Sequence, residues 1–94
     1  MYRLQSADVI EKIISQRTFS VGTTPTKLDI TPNTRVIVIE NSGTTDVYFG
    51  NNSVSTSTGI SIKQGEIAVF TIKHGIEIFF VAGSPTIIKI LEAY

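Results

Sequence analysis

The sequence predicts an all-β protein, an antiparallel β-sandwich or jelly-roll-like barrel of about seven or eight short strands with a short N-terminal α-helix. Three observations lead to this fold class. The 94 residues include 15 Ile and 12 Thr, and both β-branched types fit a pleated, half-buried surface. Apolar segments recur about every ten residues, as in sandwiches. Short turns rich in Gly, Pro and Asn separate them, and such turns favour antiparallel neighbours over parallel strands with crossover helices.

The N-terminal segment shows a different pattern. Ser6 is a suitable N-cap, and Asp8 falls in the first turn, where a negative charge interacts favourably with the helix dipole. We expect a helix from about residue 7 to residue 16. A helix this short is unstable alone in water, so its apolar stripe must dock, either on the same domain or on a partner. The stripe consists of Val9, Ile10, Ile13 and Ile14.

The remaining chain reads as one β-sandwich domain over residues 17–94, with residues 1–16 as a helical anchoring segment. The polar, low-complexity stretch 51–58 predicts an exposed loop. Tyr48, Asn51, Asn52 and Ser53 are candidates there for a ligand contact. The expected strands cover residues 17–21, 26–30, 35–40, 46–49, 66–72, 76–81 and 86–91, with a shorter piece at 59–62.

Several predicted strands are apolar on both faces. In residues 86–91, for example, Ile88 and Ile90 point one way while Ile87 and Leu91 point the other. A two-layer sandwich buries only one face of each sheet, so the other face needs cover. An oligomer interface provides that cover in one interpretation, and the helix or a barrel rim provides it in the other. The candidate interface residues are Val9, Ile10, Ile13, Ile14, Ile37, Ile39, Phe79, Val81, Ile87 and Leu91.

The charge composition argues for assembly. Eight basic side chains balance eight acidic ones, and only 17% of residues are charged, which is low for a freely soluble monomer. The balance gives no electrostatic reason to bind nucleic acid or an anionic membrane. No apolar run is long enough to span a bilayer, and no secretory signal is visible, so we expect a protein that is made and folded in a cytoplasm.

Residues that carry chemistry are scarce. The chain has no Cys, which excludes disulfides and thiolate metal sites, and its one histidine, His74, falls in an expected hairpin turn. No nucleophile elbow, phosphate-binding glycine loop or calcium loop is present. Glu40, Glu66 and Glu77 fit solvated charges on or beside strands that discourage edge pairing. The sequence therefore predicts no enzyme, with no catalytic residue, cofactor, metal or small-molecule substrate.

Five motifs spread over residues 21–92 carry a resemblance. They are TPTKL at 24–28, RVIVIENSGTTDVYFG at 35–50, VSTSTGI at 54–60, GE at 65–66 and TIIKILE at 86–92. Together they resemble small β-rich virion proteins of tailed bacteriophages, of the capsid decoration, head-fibre and neck or tail type. Most of the residues in these motifs specify the fold rather than a function. Asn41 and Gly43, for instance, are expected to shape a turn with a positive φ position.

The resemblance implies a virion structural protein, assembled in the host cytoplasm. A capsid decoration or cement protein is the first expectation. It would act as a homo-oligomer, with a trimer favoured, bound to the major capsid protein or another virion protein. A neck, tail or baseplate protein is one alternative, and a receptor- or glycan-binding module on the virion surface is another. The N-terminal helix lies outside the resemblance.

Overall fold

The computed structural model describes residues 12–94, which form eight strands in two four-stranded antiparallel sheets. The all-β prediction and its sandwich architecture are confirmed. The strands are β1 (Ile13–Val21), β2 (Thr26–Lys27), β3 (Val36–Glu40), β4 (Val47–Gly50), β5 (Ile60–Ile62), β6 (Ile67–Thr71), β7 (Phe79–Ala82) and β8 (Thr86–Ala93).

The sheets have a nested topology. The first sheet has the order β1-β8-β3-β6, and the second sheet has the order β2-β7-β4-β5. Strand β1 pairs with β8, β2 with β7, β3 with β6 and β4 with β5, so the chain follows one long hairpin that is rolled up on itself. This is the strand order of a jelly roll. The pairing of β1 with β8 extends to Lys12 and Tyr94, whose backbone groups exchange two hydrogen bonds of 3.0 Å.

The hydrophobic core lies between the two sheets. Alternating side chains of each strand point into it, as the period of two requires. Aromatic rings cross the interior, and the rings of Phe49 and Phe70 stack with centroids 5.4 Å apart. The buried residues of this cluster are Val21, Leu28, Ile37, Ile39, Val47, Ile62, Ile78, Phe80, Ala82, Ile88 and Ile90.

The predicted N-terminal helix is wrong where the structure describes it. Ile13 and Ile14, with the residues up to Gln16, belong to β1 and pair with β8. Residues 7–11, including Val9 and Ile10, lie outside the described residues. Helical spacing of apolar residues is a local signal, whereas β1 gains a ladder of hydrogen bonds with β8, a strand far along the chain. This distant pairing outweighs the local pattern.

Two other boundaries differ from the predictions. The expected strand at residues 26–30 shortens to β2, although Leu28 is still buried and donates its N–H to the carbonyl of Ile78 at 2.9 Å. The expected strand at 76–81 starts only at Phe79, and the chain turns ahead of it at Gly75 with φ 85°. The turn that contains His74 is not a hairpin, since β6 and β7 belong to different sheets. It carries the chain from one sheet to the other.

The turn after β3 differs from the prediction in how it uses its residues. Among the described residues positive φ angles occur at Asn33, Gly65 and Gly75, and neither Asn41 nor Gly43 has one. Gly43 is required by a close approach instead, because a Cβ there would lie 1.9 Å from Oγ1 of Thr86. The turn thus packs directly against the start of β8.

Candidate assembly surface

The outer face of the first sheet, which points away from the core, is apolar at its centre. Val38 on β3 lies opposite Leu91 on β8 and opposite Val69 on β6, so the three side chains form one row across the sheet. We call Leu91, Val38 and Val69 the central row. All three are half-buried within the described residues. Soluble antiparallel sheets normally place polar residues on this face.

The neighbours of the central row add apolar area and almost no net charge. Ile67 on β6 is half-buried, and Ile87 on β8 is 50% exposed. The two charges on this face pair with each other, since the Lys89 ammonium lies 3.8 Å from the Glu40 carboxylate. A shallow groove of about 370 Å³ follows β8 beside the central row. The outer face therefore presents a flat, neutral, apolar surface.

The second sheet is covered on its outer side. Val81 of β7 and Val54 of the loop after β4 are only 3% and 5% exposed, although the register places Val81 beside Tyr48 on the outer side. The side chain of Val54 approaches to 3.0 Å of the position that a Cβ on Gly50 would take. The loop thus folds back over its own sheet and buries Val54. The apolar outer face is therefore that of the first sheet, while the second sheet exposes Ile60 on its edge strand β5.

The structure separates the predicted interface residues into two groups. Ile37, Ile39 and Val81 are at most 3% exposed, so none of them is available to a partner. For β3 the faces were assigned the wrong way round, because Ile37 and Ile39 point into the core while Val38 points out. Ile13, Ile14, Phe79, Ile87 and Leu91 are exposed or half-buried and stay candidates, and Val9 and Ile10 lie outside the described residues.

The loop candidates for a ligand contact form a small self-bonded unit. Asn51, Asn52 and Ser53 are exposed, and Tyr48 is half-buried. The side-chain oxygen of Asn51 accepts a hydrogen bond of 2.9 Å from the backbone N–H of Ser53. Further along the loop, Ser55 and Thr58 bond each other and the intervening backbone. The loop therefore has a defined shape, and many of its polar groups are already satisfied.

The sequence analysis missed a buried carboxylate near the C-terminal end of β8. Glu92 is fully buried on the inner face of the first sheet. Its carboxylate accepts hydrogen bonds from the guanidinium of Arg17, from Ser15 Oγ at 3.0 Å, from Thr34 Oγ1 at 3.0 Å and from both the backbone N–H and the hydroxyl of Thr31 at 2.7 and 3.1 Å. We call these five residues the Glu92 cluster.

The Glu92 cluster holds three parts of the fold together. Ser15 and Arg17 come from β1, Glu92 from β8, and Thr31 and Thr34 from the connection between β2 and β3. Arg17 also donates to the backbone carbonyl of Asp29 at 2.7 Å. Burial alone raises the pKa of Glu92, but the hydrogen bonds from Arg17, Thr31, Thr34 and Ser15 outweigh burial and lower the pKa below its ordinary 4.5. The sequence did contain a signal for this burial, because the period of two places Glu92 on the same face of β8 as the buried Ile88 and Ile90.

The described residues hold no cluster of three or more His, Cys, Asp or Glu side chains that could bind a metal ion. His74 is exposed in the connection between β6 and β7. Lys27 and Glu77 form an exposed ion pair of 2.8 Å nearby, and this partner raises the pKa of Lys27. Residues 12–94 contain no helix that could cross a membrane. No family model matches the chain, and comparisons with curated proteins and with solved structures likewise give no match.

Proposed function

We propose that this protein is a structural subunit of a tailed-bacteriophage particle, most simply a capsid decoration protein that binds the particle surface together with copies of itself. One observation carries the assembly part of the proposal, namely the apolar central row of Leu91, Val38 and Val69 on the outer face of the first sheet. The motifs at residues 21–92 support the virion part. Jelly rolls also occur in lectins and cupins, so the fold enters only as analogy.

The mechanism is mechanical. A flat apolar face excludes water over its whole area when it meets a complementary surface, and the favourable free energy scales with the apolar area removed from water. The paired charges of Lys89 and Glu40 leave no uncompensated charge on this face to oppose association. On a repetitive capsid lattice many such contacts act together, so a modest affinity of each subunit becomes a large total stabilisation.

The test compares complete particles with particles that lack this protein. We expect the particles without this protein to disassemble at lower temperature and to regain heat resistance when purified protein is added back. A matched variant, Leu91→Asp, places a charge in the central row and should fail to restore resistance. Ser57→Asp places the same charge in the exposed loop after β4, which folds over the second sheet, and should restore it. Equal heat resistance with and without the protein would remove the cement role.

The neck, tail or baseplate alternative uses the same surface at another position in the particle. Copy number distinguishes the two, because a decoration protein covers the shell in many copies whereas a neck ring or tail tip contains few. The glycan-binding alternative has less support. A sugar site needs free polar groups, whereas many polar groups of the loop at residues 51–58 are hydrogen-bonded to one another. Unchanged host adsorption after replacement of Asn52 and Ser53 would count against it.

A further inference from the structure

The two sheets have four edge strands, and three of them are protected against pairing with another chain. Strand β1 contains a bulge near Ile13 at one end and carries the charged Arg17 in the regular stretch that follows. Strand β2 has only two residues, follows Pro25 and includes Lys27. Strand β5 has only three residues and is followed by Lys63. Bulges, shortness, proline and lysine are the usual devices that prevent edge-to-edge association.

Strand β6 has none of these devices within its own residues. Its five residues, Ile67–Thr71, include no charge, no proline and no glycine. Its ladder with β3 runs through five consecutive pairs without a register shift. Within residues 12–94 no strand pairs with its other side. A regular, apolar, unprotected edge of this length is a template for another strand.

The hydrogen-bond pattern shows which groups of β6 face outward. Ile72 donates its N–H to the carbonyl of Arg35, so this pair is hydrogen-bonded. Pairs alternate along an antiparallel ladder, so Phe70 and Ala68 also direct their backbone groups to β3. The N–H and C=O groups of Ile67, Val69 and Thr71 therefore point to the open edge, where no group of the described residues forms a hydrogen bond with them.

We propose that β6 pairs antiparallel with β6 of a second copy of this chain, about a two-fold axis at Val69. Ile67 then lies opposite Thr71 of the partner subunit, and Val69 lies opposite the partner subunit's Val69. The two-fold axis repeats the first pair as Thr71 opposite the partner subunit's Ile67. All three pairs use the outward groups, and each pair exchanges two hydrogen bonds. The two first sheets become one continuous eight-stranded sheet. The inference rests on the proposed function in one respect, that self-association is how the protein works.

Self-complementarity favours a second copy over a foreign strand. The segment is uncharged, so the two-fold axis places no like charges opposite each other. The central row ends at Val69 and continues across the axis into the central row of the partner subunit. On the inner side, Ala68 lies opposite the partner subunit's Phe70. A small side chain thus faces a large one at the mouth of the 560 Å³ groove between β5 and β6, which Phe49 and Ile60 also line.

A two-fold edge contact leaves most of the outer face free. The two copies join side by side, so Ile87 and Leu91 on β8 still face outward from the joined sheet. The pair is closed and isologous, so it gives a dimer, whereas a trimer needs a heterologous contact through another surface. The edge inference and the trimer expected from the resemblance therefore predict different solution masses.

Crosslinking tests the geometry directly, because the chain has no native cysteine. Val69→Cys places one thiol on each side of the axis, where the opposed Cα atoms of a hydrogen-bonded pair lie about 5.5 Å apart, within disulfide range. We expect rapid formation of covalent dimer under mild oxidation at low protein concentration. The control is Ser57→Cys, which is exposed in the loop between β4 and β5 and lies outside the proposed contact surfaces. Equal crosslinking of the two variants would overturn the inference.

Charge substitution provides the second test. Val69→Lys and Val69→Glu each place like charges across the axis and should weaken dimerisation by about tenfold or more, as measured by sedimentation equilibrium. An equimolar mixture of the two should regain a dimer that contains one of each. Val69→Thr keeps the shape and the N–H and should dimerise like the native chain. Circular dichroism verifies that each variant is folded.

The outcomes separate this inference from the proposed function. A native chain that self-associates while Val69→Cys does not crosslink overturns the edge contact and leaves the virion proposal standing. A dimer that responds to the charge variants, from a protein that does not bind particles, supports the edge contact and contradicts the virion proposal. A folded, monomeric native chain at millimolar concentration overturns the edge contact.

Discussion

The two faces of β8 show opposite solutions to burial. The inner face carries Glu92, a charged residue that is fully buried, while the outer face carries Leu91 and Ile87, apolar residues that remain open to solvent. Polarity alone would predict the reverse arrangement. The carboxylate is tolerated inside because each of its oxygens is hydrogen-bonded, and in the described residues no buried side-chain polar atom lacks a partner.

The difference shows which face of β8 has its contacts satisfied within the chain. The inner face is complete, because every group on it has a partner within the chain. The outer face is less complete, because Val38, Leu91 and Val69 are only half-buried and Ile87 is 50% exposed, although Val36 and Ala93 at one end of this face are buried. We therefore expect substitutions on the inner face to change stability and substitutions on the outer face to change association.

The largest expected effect is at Glu92. Glu92→Ala leaves Arg17 and four donor groups of three other residues without their acceptor in a buried site, and breaking a buried pair in this way costs about 3–5 kcal/mol of unfolding free energy. Chemical denaturation measures the loss. The control Glu40→Ala removes an exposed carboxylate of the same sheet and should cost at most about 1 kcal/mol. A loss at Glu92 no larger than that of the control would contradict the role of the cluster.

Asn41 is the next largest. Its side chain is fully buried and bridges the sheets, with its amide donating to the carbonyls of Thr45 and Ile62 at 2.9 and 2.8 Å. Asn41→Ala leaves buried groups unsatisfied, which costs about 1–3 kcal/mol. Asn51→Ala in the exposed loop is the matched control and should fall within about 0.5 kcal/mol of the native chain by the same denaturation measurement.

Acid should loosen the inner face selectively. The pKa of Glu92 is lower in the folded protein than in the unfolded chain, so its contribution is fully present above the ordinary 4.5 and is lost as the pH falls through the lower, folded value. Unfolding free energies measured across this range should drop more steeply for the native chain than for Glu92→Gln, which does not titrate. Parallel curves would show that other carboxylates dominate acid unfolding.

The smallest effect on stability is expected on the outer face. Ile87→Thr keeps the β-branched shape at a half-exposed position and should change the unfolding free energy by no more than about 0.5 kcal/mol. Binding to particles should weaken nevertheless, because apolar area leaves the contact surface. Particle co-sedimentation measures the binding. A stability loss above 1 kcal/mol with unchanged binding would reverse the assignment of the two faces.

The sequence predicted the strands where periodicity and turns agree. Residues 35–40, 46–49 and 86–91 were found within a few residues of β3, β4 and β8, and the pairing of apolar faces was visible in β8. Helical spacing at Ile13 and Ile14 was misleading, because the partner of β1 is far away in sequence. The faces of β3 were assigned the wrong way round, because Val36, Val38, Ile37 and Ile39 are all apolar and periodicity does not distinguish the two faces.

The candidate site was predicted only in outline. Surplus apolar surface was expected, and Ile87 and Leu91 are placed on it. The missing part is the context of each strand. Val69 matters because β6 is an edge strand, and Val81 is buried on the outer side of the sheet over which the loop with Val54 folds. Both facts depend on strand order and loop path, which local patterns do not encode. The partners of Glu92 come from three separate segments and could not be paired from spacing.

The nested pairing of β1 with β8 has a consequence for synthesis on the ribosome. Strand β1 emerges before the other strands, yet the strand beside it in the sheet is made only after the six intervening strands. Pairings between segments so distant in the chain form slowly, since a long loop must close before any contact rewards it. Until β8 is available, Phe19 and Val21 have no neighbour to cover them, so newly made chains are most vulnerable to chaperone capture and proteolysis at this early stage.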